Sequence, residues 1–356
     1  MVIKCKYNVT DISKETPLLN NPVNIAMTLV DGVEVPQEVE RDTQEIDDDG
    51  KPTGNIVPRL VPNCWHQFDE VGEHIVEFYL EDDKNTLGDS AFSHTPSLVE
   101  CEISDGVLEI DTYCFYECEN LKKVTLPDSI ETIASYAFGG LRNLEEINIP
   151  DSVVAIGEYA FDSCVKANGL TVPSSLSVIS NNAFMNSNIE FTEIGDNITE
   201  IGDGAFINCS GLVNVTIPDS VTKIGDGAFL GCKNLEKITI GSGVEIVSAF
   251  ICQNCSKLTE VTFGENVTEI SFEAFRNCTS LTNIKLPETL TMIGNYAFQN
   301  CGDNMEVEFT SMTPPELGDN PFNGTISRGM EVNVPDDAED AYNNEEWLNK
   351  LAGLNV

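Results

Sequence analysis

Phenylalanine recurs along this chain at a nearly constant interval. Between residues 92 and 322 the successive steps are 23 residues four times, then 22, 23, 46, 23 and 24. The step of 46 spans two units, and Cys252 occupies the place of the missing phenylalanine. The aligned positions are Phe92, Phe115, Phe138, Phe161, Phe184, Phe206, Phe229, Phe275, Phe298 and Phe322. A period held over ~230 residues predicts a solenoid of about eleven stacked coils.

The first half of each unit is typical of a short strand followed by a turn. In the unit that begins at Leu212, Val215 and Ile217 alternate with the polar Thr216, which we expect to face solvent. The segment 218–220 (Pro-Asp-Ser) follows and predicts a turn, because proline fixes φ and the polar side chains bond nearby backbone amides. The strands of successive units are therefore expected to form one parallel sheet.

The second half of the unit returns the chain to the next strand. Val221 and Ile224 are predicted to point inward, and Gly225 to permit a tight bend. Ala228 and Phe229 are expected to begin a short helical or 3-10 turn. A unit this short cannot bury its own apolar face, so stability must come from stacking on neighbouring coils.

Cysteine recurs three residues after the phenylalanine in seven units. Ligands spaced 23 residues apart stack in a line instead of converging on one ion, so the pattern does not favour a metal site. Free cysteine is among the most buried residue types. We therefore expect a column of small, buried, reduced thiols: Cys118, Cys164, Cys209, Cys232, Cys255, Cys278 and Cys301.

The two ends of the chain depart from the repeat. Residues 1–86 read as a small all-β domain, with Asp31-Gly32 as a hairpin turn between apolar runs. Residues 336–356 read as a capping helix with acidic residues in its first turn. Ala338, Ala341 and Tyr342 fall at helical spacing to cover the last coil. The predicted division is thus 1–86, a solenoid over 87–335, and the cap.

Acidic residues outnumber basic ones by 59 to 19, for a formal net charge of −40. This charge argues against nucleic-acid binding and against docking on anionic membrane. No run of ~18 apolar residues is present, so we expect no membrane insertion. The first residues lack the apolar core of a secretion signal, which favours folding in a cytosol. The charge is consistent with simple solubility, or with a surface that binds divalent cations or a basic partner.

Residues with catalytic potential are sparse. His66, His74 and His94 are the three histidines, and we expect His74 to be structural. Cys64 precedes Trp65 and His66, but one thiol beside one imidazole is weak evidence for a catalytic pair. The acidic loop at 47–50 lacks the alternating ligands and terminal glutamate of a calcium loop. We predict no catalytic site, no metal site and no cofactor.

The outward positions of the predicted sheet form two polar columns. These columns are the candidate binding surface, for a protein or a glycan, because solenoids commonly use this face. The alternative is that threonine is there only for its β-propensity. The candidates are Thr125, Asn148, Thr171, Thr216, Thr239, Thr262 and Lys285 in one column, and Lys123, Glu146, Asn214, Lys237, Glu260 and Asn283 in the other.

The repeating string L-x-x-V-x-I-P-x-S-V-x-x-I-G-x-x-A-F-x-x-C resembles the BspA-type leucine-rich repeat. The segments 215–232 and 281–301 match it closely, and the resemblance covers about 87–335. It departs at Ala167, at the coil over 187–195, which is one residue short, and at the coil over 246–255, which lacks its phenylalanine. The resemblance implies a leucine-rich-repeat solenoid. It leaves function open, since the family includes adhesins, surface antigens and virion proteins.

The segments 3–10, 30–35 and 72–80 resemble a β-rich leader found before such repeats in proteins of gut Bacteroidales phages, including crAss-like ones. That resemblance implies a virion-associated protein, made in the host cytoplasm, that contacts other virion proteins, its own copies, or a host-surface glycan or protein. Fibres and capsid fittings are usually oligomeric, so a homo-oligomer is expected. The alternatives are a cell-surface adhesin of a bacterium or protist, and an intracellular scaffold.

Overall fold

The computed structural model describes residues 1–21, 25–36, 38–46, 52–62, 65–81, 85–191 and 193–352, and gives only backbone for 38–46 and 52–62. A β-rich leader precedes a solenoid of about eleven parallel coils, and short helices close the far end. The leader strands are β1 (Val2–Val9), β2 (Thr16–Pro17), β3 (Ile25–Val30), β4 (Val33–Val35), β5 (Glu38–Ile46), β6 (Pro52–Pro62), β7 (Trp65–His66) and β8 (Gly72–Leu80).

The coils contribute two series of short strands. They are β9 (Thr86–Leu87), β10 (Leu98–Ile103), β11 (Glu109–Ile110), β12 (Lys123–Thr125), β13 (Thr132–Ile133), β14 (Glu146–Ile147), β15 (Ala155–Ile156), β16 (Val178–Ile179), β17 (Glu200–Ile201), β18 (Asn214–Ile217), β19 (Lys223–Ile224), β20 (Lys237–Ile240), β21 (Ile246–Val247), β22 (Glu260–Thr262), β23 (Glu269–Ile270), β24 (Asn283–Leu286), β25 (Met292–Ile293), β26 (Glu306–Phe309), β27 (Glu316–Leu317) and β28 (Glu331–Asn333).

The coils stack through two parallel ladders on different sides. The front strands, which follow each turn after the phenylalanine, pair in the orders β10-β12-β14, β18-β20-β22 and β24-β26-β28. The second strands pair as β9-β11-β13-β15, β16-β17-β19 and β21-β23-β25-β27. Each residue pairs with the one about 23 positions later, as in Thr216 opposite Thr239. The 23-residue period of the sequence therefore also sets which residues pair between neighbouring strands.

Ring stacking of the repeat phenylalanines forms the centre of the solenoid. Phe115, Phe138 and Phe161 are fully buried, with ring centroids 5.4 Å and 5.3 Å apart along the series. At the start of the series Phe78 of the leader meets Phe92 edge-on at 5.4 Å. The leader and the first coil consequently share one apolar core.

The described return segments contain single turns of the predicted 3-10 type but no continuous helix. Within one coil the N–H of Cys118 bonds the carbonyl of Phe115, a one-turn contact, while the N–H of Phe115 bonds the carbonyl of Ala137 in the next coil. Tyr113 and Glu117 have φ of 56° and 52°, in the left-handed region, which stops a helix from continuing. Each return is a run of turns that pairs with its neighbours like a strand.

The sequence predicts that Gly225 permits a tight bend, but the structure requires glycine at this position for a different reason. A Cβ on Gly225 would lie 2.3 Å from the backbone nitrogen of Asp203 in the preceding coil. Its role is thus to permit close approach of two backbones. Gly227, two residues on, is the glycine that adopts a positive φ, of 63°.

The leader joins the solenoid through its first strand. β1 lies between β8 and β10 in a seven-stranded sheet of order β14-β12-β10-β1-β8-β3-β4, and is antiparallel to both neighbours. Ile3, Cys5 and Tyr7 point into the core, while Lys4 and Asn8 on the other side of the strand are exposed. The front ladder is therefore extended by leader strands.

The C-terminal cap consists of short segments instead of one helix. A 3-10 turn over Asp336–Ala338 leads into α1 (Glu339–Tyr342), and α2 (Glu345–Leu351) follows a break. The Asn344 side chain caps α2 by accepting from the N–H groups of Glu346 and Trp347. Ala338 and Tyr342 are buried as expected, but Ala341 is exposed. The Trp347 indole instead donates to the Pro315 carbonyl at 2.8 Å.

Candidate binding surface

Apart from Asn148 and Thr171, the predicted surface residues lie on the outer side of the front strands, a surface called the front face from here on. Inward residues of a front strand are buried and their neighbours are exposed, as in β18, where Val215 and Ile217 are buried and Asn214 and Thr216 are exposed. The same holds for every candidate, although Thr239 is only half-exposed. The front face therefore presents rows of polar side chains about 4.8 Å apart from coil to coil.

Lysines and glutamates on the front face pair across neighbouring coils. Lys237 lies 2.7 Å from Glu260, with both side chains 56% exposed. The lysine–glutamate pairs at 123/146 and 285/308 repeat the arrangement at 2.7 Å and 2.5 Å. Exposed pairs of this kind contribute roughly 0–1 kcal/mol. Their effect is to place nearly neutral, hydrogen-bonding rows on a chain of net charge −40.

The front strands pair in three separate blocks instead of the one continuous sheet expected from the sequence: β10-β12-β14, β18-β20-β22 and β24-β26-β28. On the front side between β14 and β18, the pairing described is reduced to isolated bridges, at Glu146 opposite Asn168 and Glu193 opposite Thr216. Gly169 has φ of 72° where other coils carry an extended strand residue. Asn148 and Thr171 are exposed but lie outside the strands. The structure thus pairs the candidates of 214–262 in the second block, places Asn283 and Lys285 in the third, and separates both from those of 123–146.

A cleft that the sequence reasoning missed opens beside the second block. Its volume is about 670 Å³, and its lining includes Thr262, Phe263, Asn266, Lys285, Pro287 and Thr310. Phe263 takes the place held by Ile217 and Ile240 in the preceding coils, and its ring meets Phe275 edge-on at 6.0 Å. The aromatic residue at that repeat position is a sequence signal that coincides with the cleft, although Phe309 at the same position two coils later packs against the C-terminal cap instead.

The second ladder carries a less continuous surface. Its outward positions include the exposed apolar side chains of Val178, Ile246 and Met292, which lie in coils that are not neighbours. Lys223 pairs with Glu200 at 2.5 Å, in the same way as the front-face lysines. Apolar residues scattered singly are normal on protein surfaces. The second ladder therefore offers a natural comparison surface for experiments.

The described histidines contact carboxylates and aromatic rings. The His74 ring lies 2.7 Å from an Asp31 carboxylate oxygen and 3.0 Å from the Glu70 carbonyl. Partial burial opposes its charge, but these two contacts outweigh burial and raise the His74 pKa. His66 packs edge-on against Phe68, and burial lowers the pKa of His66.

Other features considered in the sequence have the following positions. Cys64 and the acidic loop at 47–50 lie outside the described residues. His94 lies 3.2 Å from Glu117. Within the part of the chain that the structure describes, no three metal-ligating side chains cluster. None of the described helices has the length and apolarity needed to cross a membrane.

The sequence model of the BspA type leucine rich repeat region matches residues 85–213 and 199–327. These ranges cover more than half of the chain and include the front strands from β10 to β26. No curated protein matches the chain. The match to the family model is therefore the basis on which the repeats are assigned.

Several solved structures resemble this one. A leucine-rich repeat protein from Bacteroides ovatus is 22% identical, with 88% of this chain and 97% of that chain covered and a TM-score of 0.45. A leucine rich cell surface protein from Faecalibacterium prausnitzii is 24% identical over 74% of this chain and 65% of its own, also at 0.45. The leucine rich repeat protein of T. pallidum is 28% identical over 57% and 86%, at 0.37.

Proposed function

Because the chain belongs to the BspA type leucine rich repeat family, we propose that it is a non-enzymatic recognition protein that binds a protein or glycan through its front face. The single observation that carries the proposal is the coil-to-coil register of the second front block. There, exposed threonine, asparagine and ion-paired lysine side chains repeat in rows on a rigid sheet. Such rows offer many hydrogen-bonding groups without a change of shape.

The cleft beside Phe263 gives the second block a place for one larger group. Ligand sites are typically about 300–1,000 Å³, with apolar walls and a few placed polar groups. The cleft falls within that range at about 670 Å³ and combines Phe263 and Pro287 with Lys285. A sugar ring, apolar on one face and hydroxylated at its edge, suits this lining.

We further propose that the protein is a component of a bacteriophage particle, as a capsid or tail fitting or a host-attachment protein. What supports this is the resemblance of its leader, at 3–10, 30–35 and 72–80, to phage leaders. In this proposal the leader attaches the protein to other virion proteins or to its own copies as a homo-oligomer. The location is then the virion, after synthesis in the host cytoplasm.

Peptide mass spectrometry tests the location directly. Density-purified virus particles are compared with washed cell surfaces and with the cytosolic fraction of the culture that makes the protein. Recovery at constant stoichiometry in the particles is expected, and its copy number separates a capsid ornament from a tail fibre. Recovery only at the cell surface would overturn the particle proposal and favour the adhesin alternative.

Paired substitutions test the face. Thr216→Arg with Thr262→Arg adds two charges to the front face, whereas Thr132→Arg with Ala155→Arg adds two to the second ladder. Binding of the purified full chain to washed cells should weaken about tenfold or more for the first variant only, since loss of a central contact costs ~1–2 kcal/mol or more. Equal weakening of both variants would argue for simple electrostatics instead of recognition.

A further inference from the structure

Two thiols face each other where the leader meets the solenoid. Cys5 on β1 and Cys101 on β10 are direct partners in the antiparallel register, and both are buried. The Cys5 sulfur lies 3.4 Å from the Cys101 sulfur. The two residues are 96 positions apart in the chain, so their opposition is a product of the fold.

The backbone geometry suits a covalent bond between them. Directly opposed residues of antiparallel strands have Cα atoms about 4.5 or 5.5 Å apart. Disulfides span Cα separations of about 4.4–6.8 Å, with the sulfurs about 2.05 Å apart. Rotation of the two side chains can therefore close the remaining gap while the strands stay paired.

This pair differs from the thiols of the repeat column. In the column, each thiol is hydrogen-bonded to a backbone carbonyl of the coil before it, as Cys232 is to Phe206 at 3.0 Å. The contact described for the Cys5 thiol is instead with the Cys101 sulfur. The column thiols donate hydrogen bonds to backbone carbonyls, whereas the Cys5 and Cys101 thiols contact each other.

We propose that Cys5 and Cys101 are an oxidation site, where a disulfide fastens the leader to the first coil. With oxidised glutathione as the oxidant, one cysteine thiolate attacks its disulfide, forms a mixed disulfide and releases one reduced glutathione. The second cysteine thiolate then attacks the protein sulfur of that mixed disulfide, forms the Cys5–Cys101 bond and releases the second glutathione. Each protein thiol gives up one proton, and the two electrons reduce the glutathione disulfide.

Burial determines when the reaction occurs. Desolvation in the core, followed by the neighbouring thiols, raises the pKa of the Cys5 thiol. A protonated, inaccessible thiol reacts slowly. Oxidation therefore requires β1 to be undocked from β10, as during refolding in the presence of oxidised glutathione or in a transient opening of this strand pair. Once formed, the bond joins β1, the leader strand next to the solenoid, to β10 of the first coil and holds the two parts together.

The experiment is to refold the full-length protein with oxidised and reduced glutathione and to measure its intact mass after denaturation. A loss of about 2 Da is expected, from the two hydrogens removed. Non-reducing peptide maps of wild-type protein should contain one linked peptide pair, carrying Cys5 and Cys101. The thermal midpoint should rise on oxidation and fall again with dithiothreitol.

Matched variants make the assignment specific. Cys5→Ser and Cys101→Ser should each lose the linked peptide and the dithiothreitol-sensitive shift. Cys252→Ser should keep both, although it removes a buried thiol three residues from Cys255. Unchanged mass, glutathione adducts alone, or a wild-type linkage to Cys114 or Cys118 would overturn the proposal, whether or not the serine variants fold.

Discussion

The thiol of Cys118 donates to the carbonyl oxygen of Phe92 in the preceding coil, with 2.8 Å between sulfur and oxygen. The equivalent contact recurs for Cys164, Cys209, Cys232, Cys255, Cys278 and Cys301 at 3.0–3.4 Å. In the last coil the hydroxyl of Thr325 donates to the Phe298 carbonyl at 2.8 Å. In these eight coils the position three residues after the phenylalanine site is filled by a small buried donor, whereas the coil of Phe138 has the buried Leu141 there.

Substitution of Cys232 tests the donor role. Threonine and valine have nearly the same shape, but valine has no donor for the Phe206 carbonyl. We expect Cys232→Val to be less stable than Cys232→Thr by about 0.5–1.5 kcal/mol, the net value of one hydrogen bond. Urea unfolding of both variants measures the difference. Valine equal to or better than threonine would mean that the position requires only volume.

In the coil that lacks its phenylalanine, the residue that precedes the substituted position is larger than in the other coils. The Phe229 N–H bonds the Ile251 carbonyl at 2.9 Å, as the Phe206 N–H bonds the Ala228 carbonyl at 2.8 Å. Ile251 thus takes the alanine place and Cys252 the phenylalanine place, and both are fully buried. A larger residue at one position offsets a smaller one at the next.

A double-mutant cycle tests this compensation. Cys252→Phe alone should overpack the coil and cost about 1–3 kcal/mol. Ile251→Ala alone should leave a cavity and cost about 2–5 kcal/mol. The double variant restores the alanine–phenylalanine arrangement, so its loss should be smaller than the sum by at least about 1 kcal/mol. Simple additivity in chemical denaturation would contradict the proposed exchange of volume.

The contact between His74 and Asp31 predicts that the stability of the leader depends on pH. Burial alone would raise the Asp31 pKa, but the His74 ring and the Ile75 N–H donate to this carboxylate and lower it. The His74 pKa is raised above its ordinary value of about 6.5. Stabilisation from His74 is therefore complete below about pH 6.5 and is lost as pH rises through its folded pKa. Stabilisation from Asp31 is lost as pH falls below about 3.9.

Histidine NMR titration measures the His74 part of that pH dependence. The His74 ring should titrate above about pH 6.5 and the His66 ring below it. Asp31→Asn should move the His74 midpoint downward, whereas Glu34→Gln removes one charge from the same hairpin and serves as the control. A His74 midpoint that does not respond to Asp31→Asn, or that responds equally to both changes, would show that the contact does not set its pKa.

The repeat period predicted the architecture because one inward phenylalanine per coil fixes both the core and the sheet register. The ion pairs follow the same period, since Lys237 and Glu260 are 23 residues apart, as are Lys285 and Glu308. The pairs follow directly from the parallel register of the front strands.

Features that depend on contacts between coils were harder to predict. The role of Gly225 follows from the backbone of Asp203, and the exposed but strandless position of Thr171 follows from the shape of the irregular coils around it. The pairing of β1 with β10 joins residues almost a hundred positions apart, which no local pattern specifies. The sequence also does not specify the ligand of the front face, since threonine suits any exposed strand.

Cross-linking mass spectrometry on intact purified particles, or on washed cells if the protein is found there, tests the central claim most directly. Lys237 and Lys285 on the front face and Lys223 on the second ladder are matched probes, because each is exposed and paired with a glutamate of a neighbouring coil. Recognition through the front face predicts links from Lys237 and Lys285 to a second protein and few from Lys223. Links to a second protein mainly from Lys223, with Lys237 and Lys285 linked only within the chain, would contradict it.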